Sequence, residues 1–145
     1  MESSSSLRRI LVYSNTYVEV YSESLHELLH TIWLSNTEDM EKEEYLQRMY
    51  DILALIEQHH PTQYLLDVLE LRMPITPDLQ NWLAQVYTPK LIEIGILKYA
   101  VIVPIEFITL LSMHQTVEEV NIQNDEVFTI RYFKDESNAR AWLNA

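Results

Sequence analysis

Tyr45, Met49, Ile52, Leu53 and Ile56 recur at i, i+4, i+7, i+8 and i+11, the stripe of a helix that buries one face. The spacing predicts an amphipathic helix over residues 38–60. Thr37 stands at the N-cap position, and Glu38, Asp39 and Glu41 lie where the positive helix end favours anions. Pro61 closes the helix. Ahead of it, residues 9–13 and 16–21 are short β-rich runs joined around Ser14 and Asn15, a hairpin pattern. Residues 63–68 and 98–103 are apolar without alternation, as strands covered on both faces are. Val127–Phe133 alternates, as a strand with one wetter face does.

Helices fill the intervals. Thr76, Pro77 and Asp78 supply a cap, a proline at the first helical position and an acid behind it, and Leu79, Trp82, Leu83 and Val86 form the stripe. Pro89 kinks or restarts this helix, and Gly95 ends it. Residues 105–113 suit a short helix. Thr116 and Glu119 have capping-box spacing and predict a further turn. Asp135 caps a last helix that buries Ala139, Trp142 and Leu143, with Trp82 and Trp142 read as core. Strands separated by helical crossovers call for a parallel sheet with right-handed connections. The expected fold is therefore α/β: a mixed sheet with antiparallel strands at its amino-terminal edge, right-handed βαβ crossovers and helices packed on it. Residues 9–145 read as one domain, and residues 1–8 as a short disordered tail.

Residues 25–34 read two ways. As a helix, Leu25, Leu28, Leu29, Ile32 and Trp33 share a face and Ser24 with Glu27 forms a capping box. As a strand, Leu28, Ile32 and Leu34 alternate with Leu29 and Trp33. The difference carries chemistry, because His26-Glu27-Leu28-Leu29-His30 spells the zincin pattern HExxH. On a helix the two histidines stand one turn apart and can share Zn²⁺, with Glu27 as general base and Glu57, His59 or His60 as sources of a third ligand. On a strand they lie about 13 Å apart, beyond one metal.

Composition narrows the chemistry. Of 145 residues one is glycine, Gly95, and none is cysteine. Gly-rich phosphate cradles, dinucleotide fingerprints, nucleophile elbows, thiol catalysis and cysteine-built metal sites are thereby excluded. A formal net charge of -12 repels nucleic acid and anionic lipid surfaces. The longest apolar run, residues 99–105, is far short of the roughly 20 residues that cross a bilayer. A cytoplasmic protein is expected, with no nucleic-acid or membrane partner, no metal and no cofactor.

Three stretches together resemble the SpoIIAA-like group of STAS-related domains. Tyr64-Leu65-Leu66-Asp67 resembles its strand ending in aspartate; residues 75–82 with Pro89 and Gly95 resemble the following helix and its exit glycine; residues 98–104 resemble the next buried strand. Arg131 to Asp135, with Ala139 and Ala141-Trp142-Leu143, is similar to the closing strand and helix, and Trp33 falls where the group has a tryptophan ending an early strand. The resemblance spans roughly residues 10–144 and implies a STAS-like fold, a strand at 25–34, and a non-enzymatic regulatory or protein-interaction module. Some STAS relatives are switched by phosphorylation of a Ser or Thr at a helix amino end. The matching loop, residues 69–76, has Thr76 as its only hydroxyl and lacks their Asp-Ser-Ser-Gly-like sequence.

The candidate interaction surface is accordingly Asp67, at a strand end where open parallel sheets present ligand crevices, with Arg72, Met73 and Thr76 in the loop behind it. The acidic run 38–44 is a second surface for a basic partner. The alternatives in other classes are a binder of a small apolar, lipid-like ligand held between helices and sheet, and a zinc hydrolase built on His26, Glu27 and His30.

Overall fold

The structure is a computed structural model and describes residues 9–112, 117–121 and 127–145. Its strands are β1 (Arg9–Ser14), β2 (Val18–Glu23), β3 (Leu28–Trp33), β4 (Gln63–Asp67), β5 (Lys98–Ile102), β6 (Val117–Asn121) and β7 (Val127–Phe133). They form one seven-stranded sheet in the order β1-β2-β3-β4-β5-β7-β6. The β1/β2, β2/β3 and β6/β7 pairs are antiparallel, while β3, β4, β5 and β7 run parallel. This is the mixed α/β sheet expected from the order of elements.

The order advances in one direction from β3 to β7, so crossovers of one hand set the connecting helices on one face. These are α1 (Lys42–His59), α2 (Pro77–Trp82), α3 (Thr88–Ile94) and α4 (Ile105–Ser112). Tyr45, Met49, Ile52, Leu53 and Ile56 of α1 are buried in one cluster with Val18, Val20, Leu29, Trp33, Tyr64, Leu66, Tyr99, Val101, Phe128 and Ile130 of the sheet. The opposite face carries α5 (Glu136–Leu143), whose Ala139 and Leu143 join Leu28, Leu65, Ala100 and Ile102. Alternate residues of β4 and β5 thus enter two different cores, which is why both strands read as unbroken apolar runs.

Local chemistry explains the boundaries. Asn15 makes the β1–β2 turn by accepting the Tyr17 and Val18 N–H groups on its side-chain oxygen, at 2.8 and 3.0 Å. His60 ends α1 in the left-handed conformation (φ 49°), its N–H returning to the Ile56 carbonyl, and Pro61 prevents continuation. Gly95 (φ 123°) ends α3. Between α2 and α3, Leu83–Tyr87 is a π-helical segment. Pro89 cannot donate to the carbonyl four residues back and would clash with it, and a widened turn relieves that clash.

Four expectations are corrected. The long helix starts at Lys42, not residue 38, because Ser35–Asp39 forms a separate 3₁₀ turn. Thr37 caps nothing: it is buried, donating to the Leu34 carbonyl and accepting the Arg72 N–H. The turn expected near Thr116 to Glu119 is strand β6 from Val117 onward, with Thr116 itself outside the described residues. Trp82 and Trp142 are half-buried at the margins of the two cores, and Val86 is exposed. The amino-terminal tail, residues 1–8, and Met113 also lie outside the described residues.

Candidate functional site

The HELLH segment is resolved by backbone geometry. His26 closes a short 3₁₀ turn (Ser24–His26), Glu27 turns the chain in the left-handed conformation (φ 51°), and Leu28 begins β3. Alternation along β3 sends Leu29, Thr31 and Trp33 into the α1 core and His30 to the α5 face. The helix needed for a His26–His30 zincin site is therefore not formed, and Glu57, His59 and His60 lie exposed at the far end of α1.

The four loop residues do not make one surface. Asp67 ends β4 with its side-chain oxygen accepting the Leu69 N–H at 3.0 Å. Burial raises its carboxyl pKa, the Leu69 N–H opposes the rise, and the Glu136 and Glu70 charges add to it. Arg72 is exposed and pairs with Glu70 at 3.0 Å. Met73, expected at the surface, is instead 7% exposed and packed into the α1 core. The adjoining run Leu71, Met73 and Ile75 alternates inward as the loop closes over the sheet, which places Met73 inside. Thr76 precedes α2 and hydrogen-bonds the Asp78 carboxylate, which also takes the Lys42 ammonium. Asp67 belongs to the α5 face, Met73 to the opposite one.

What the loop encloses is a cavity of about 490 Å³ on the α1 face. Its floor is Leu66 and Val68 at the carboxyl end of β4, Val101 and Val103 at that of β5, and Ile130 and Tyr132 of β7. Its walls include Trp33, Tyr45, Met49, Met73, Tyr87 and Tyr99, and Pro74, Gln80 and Phe107 are its exposed margin. No charged side chain is among the described lining residues. The aromatic walls are fixed by one another: Trp33 lies 5.3 Å from Tyr45, and Tyr99 stacks on Tyr64 at 5.2 Å. Behind them, the Tyr64 hydroxyl donates to Thr31 Oγ1 and shares a hydrogen bond with the Tyr87 hydroxyl, both at 2.9 Å. Burial pushes Tyr64 up to about 12. The π-helical segment supplies Leu83 and Tyr87 to the wall, so the widened turn forced by Pro89 also shapes the cavity.

On the α5 face a charged cluster surrounds His30. Arg140 of α5 grips Glu23 of β2 through two bonds of 2.8 and 2.7 Å and holds Glu136 at 2.7 Å. Arg9 stands 3.7 Å from Glu23 and stacks over the Tyr21 ring. Burial pushes the Glu23 carboxyl up, but the Arg140 guanidinium, with His30 and Arg9 adding, leaves it below the usual range. The His30 imidazole is pushed down to about 4 by burial, with Arg140 and Arg9 adding to the effect against Glu136 and Glu23.

The sequence offered an apolar ligand held between helices and sheet but named none of the residues that line the cavity, and it did not offer this cluster. The cavity residues are ordinary core residues in a one-dimensional pattern, and Glu23, Arg140 and Glu136 read as surface charge. Glu23 shares the β2 face of Glu19 and Tyr21, out of phase with the buried Val18 and Val20, so alternation gave no sign of its burial.

The chain matches no protein-family model, no curated protein and no solved structure. No helix among the described residues is long and apolar enough to cross a membrane.

Proposed function

We propose that this chain binds a small, uncharged, largely apolar molecule in the cavity at the carboxyl ends of β4, β5 and β7. The observation that carries the reading is the cavity itself. Its volume falls in the roughly 300–1,000 Å³ range of small-molecule sites, and carboxyl ends of parallel strands are where open α/β sheets bind ligands. The lining argues for the ligand class. Aromatic rings and branched aliphatics favour a hydrocarbon or aromatic body, and the lack of a lysine or arginine among the described lining residues leaves a carboxylate or phosphate without a counter-ion. A regulatory or interaction role remains compatible with this reading, since loop 68–76 forms one wall and a ligand there would alter the surface a partner meets.

The test uses N-phenyl-1-naphthylamine, an uncharged fluorescent probe of suitable shape. Wild-type protein should bind it saturably at one per chain. Val101→Phe, which fills the floor, and Val68→Phe, at the loop end, should each abolish binding while circular dichroism stays native. Undiminished binding by both folded variants, or none by the wild type, would refute the proposal.

A further inference from the structure

We infer that His30, Asp67 and Glu136 form a binding site for a first-row divalent metal ion such as Zn²⁺, on the sheet face opposite the cavity and independent of it. One ring nitrogen of His30 and one carboxylate oxygen from each acid lie within 4.8 Å of one another. Ligands around a tetrahedral Zn²⁺ with bonds of about 2.1 Å are separated by about 3.4 Å, so a modest inward movement closes the set. Glu136, exposed at the first position of α5, can make it with the carboxylate oxygen that Arg140 does not hold.

A second observation is independent of the acids. His30 is 0% exposed, and its Nε2 has no hydrogen-bond partner among the described residues. A buried polar atom without a partner is costly to hold, and an ion or water is the usual resolution. Arg9 and Arg140 approach the other nitrogen, Nδ1, at 3.3 and 3.4 Å, so Nε2 is the one left for a ligand. Metal ligation by Nε2 places the ring proton on Nδ1 and requires those two contacts to relax. Both are long, and the arginines keep Glu23 as their principal partner.

The acids are also prepared. Asp67 uses Oδ1 on the Leu69 N–H and Glu136 uses Oε2 on Arg140, leaving Asp67 Oδ2 and Glu136 Oε1 without a hydrogen bond among the described residues. Glu23 and Glu136 have arginine partners, whereas Asp67 has no cationic partner there. The local deficit is one positive charge beside Asp67, where the metal would sit. One imidazole with two carboxylates suits a transition metal better than Mg²⁺ or Ca²⁺, which prefer oxygen alone. Three protein ligands leave a coordination position for water on the exposed Glu136 side.

The experiment is isothermal titration of chelator-stripped full chain with ZnCl₂, paired with Co²⁺ titration read by visible absorption. One equivalent should bind. Glu136→Gln and Asp67→Asn, both folded by circular dichroism, should weaken it roughly tenfold or more. His26→Ala and His59→Ala with His60→Ala should leave it unchanged, since these histidines lie elsewhere on the surface. No saturable uptake by the wild type, uptake that persists in both carboxamide variants, or uptake lost with the surface histidines would overturn the inference. Because the cavity probe binds on the other face, its result does not depend on this one.

Discussion

Arg140 and Glu23 join the last helix to the second strand through paired hydrogen bonds of 2.8 and 2.7 Å. Glu23 is 4% exposed, so the bond is not an ordinary surface ion pair: removing the arginine leaves a carboxylate stranded in the interior. Arg140→Ala should destabilise the protein by about 3 kcal/mol, the low end for an orphaned buried charge, because Arg9 remains nearby. Adding Glu23→Gln should recover part of the loss. Denaturant melts of the two variants provide the check, and equal stability of Arg140→Ala and wild type would show that the pair holds nothing.

Burial raises the phenol pKa of Tyr45, Tyr64, Tyr87 and Tyr99 above the ordinary value. The sign follows from linkage: in the unfolded chain these groups ionise near pH 10, while in the folded chain they hold their protons longer. Their contribution to stability is complete below pH 10 and is lost as pH rises toward about 12, where Tyr64 itself titrates. Spectrophotometric titration should therefore show these four ionising only together with unfolding. Early, independent ionisation of all nine tyrosines would contradict the packing described.

Met73 and Arg72 are neighbours with opposite fates. Met73→Ala should cost about 2–3 kcal/mol, near the low end for large-to-small core changes because it borders a cavity. Arg72→Glu should fall within about 0.5 kcal/mol. The paired reversal Arg72→Glu with Met73→Asp, harmless were both on the surface, should unfold the domain through a buried carboxylate. Thermal melts of the single variants separate the two effects.

Trp142 is half-buried, its ring 5.7 Å from Phe133, with Lys98 and Arg131 over its face at 5.3 and 5.8 Å. Trp142→Ala should accordingly cost about 1–2 kcal/mol, less than the 3–5 typical of a buried tryptophan. Leu143→Ala, from the core itself, should cost more. The reverse ranking in chemical denaturation would move the centre of this core to the tryptophan.

Much of this architecture is written in local pattern. The stripe from Tyr45 to Ile56, the unbroken runs of β4 and β5, the alternation of Val127–Phe133, Pro77 and Gly95 each act within a few residues. Backbone sterics and burial periodicity therefore determined most of the helices and strands and the α/β class. The strand preference for residues 25–34 came only from resemblance, because helix and strand bury the same apolar residues there. Tertiary pairing decided it: β3 forms ladders with both β2 and β4, satisfying backbone groups on both sides. The same is true of Val117–Asn121, whose capping-box spacing yielded to pairing with β7. The sites lie wholly beyond local pattern. Met73 enters the core because its loop folds over strand ends, and the cavity exists because α1, the widened turn before Pro89 and three strand termini meet. His30, Asp67 and Glu136 are distant in sequence and converge only because β3 and β4 are adjacent and α5 crosses their face. Spacing records which neighbours share a side of one element; which elements share a side of the sheet is set by the packing of all of them at once.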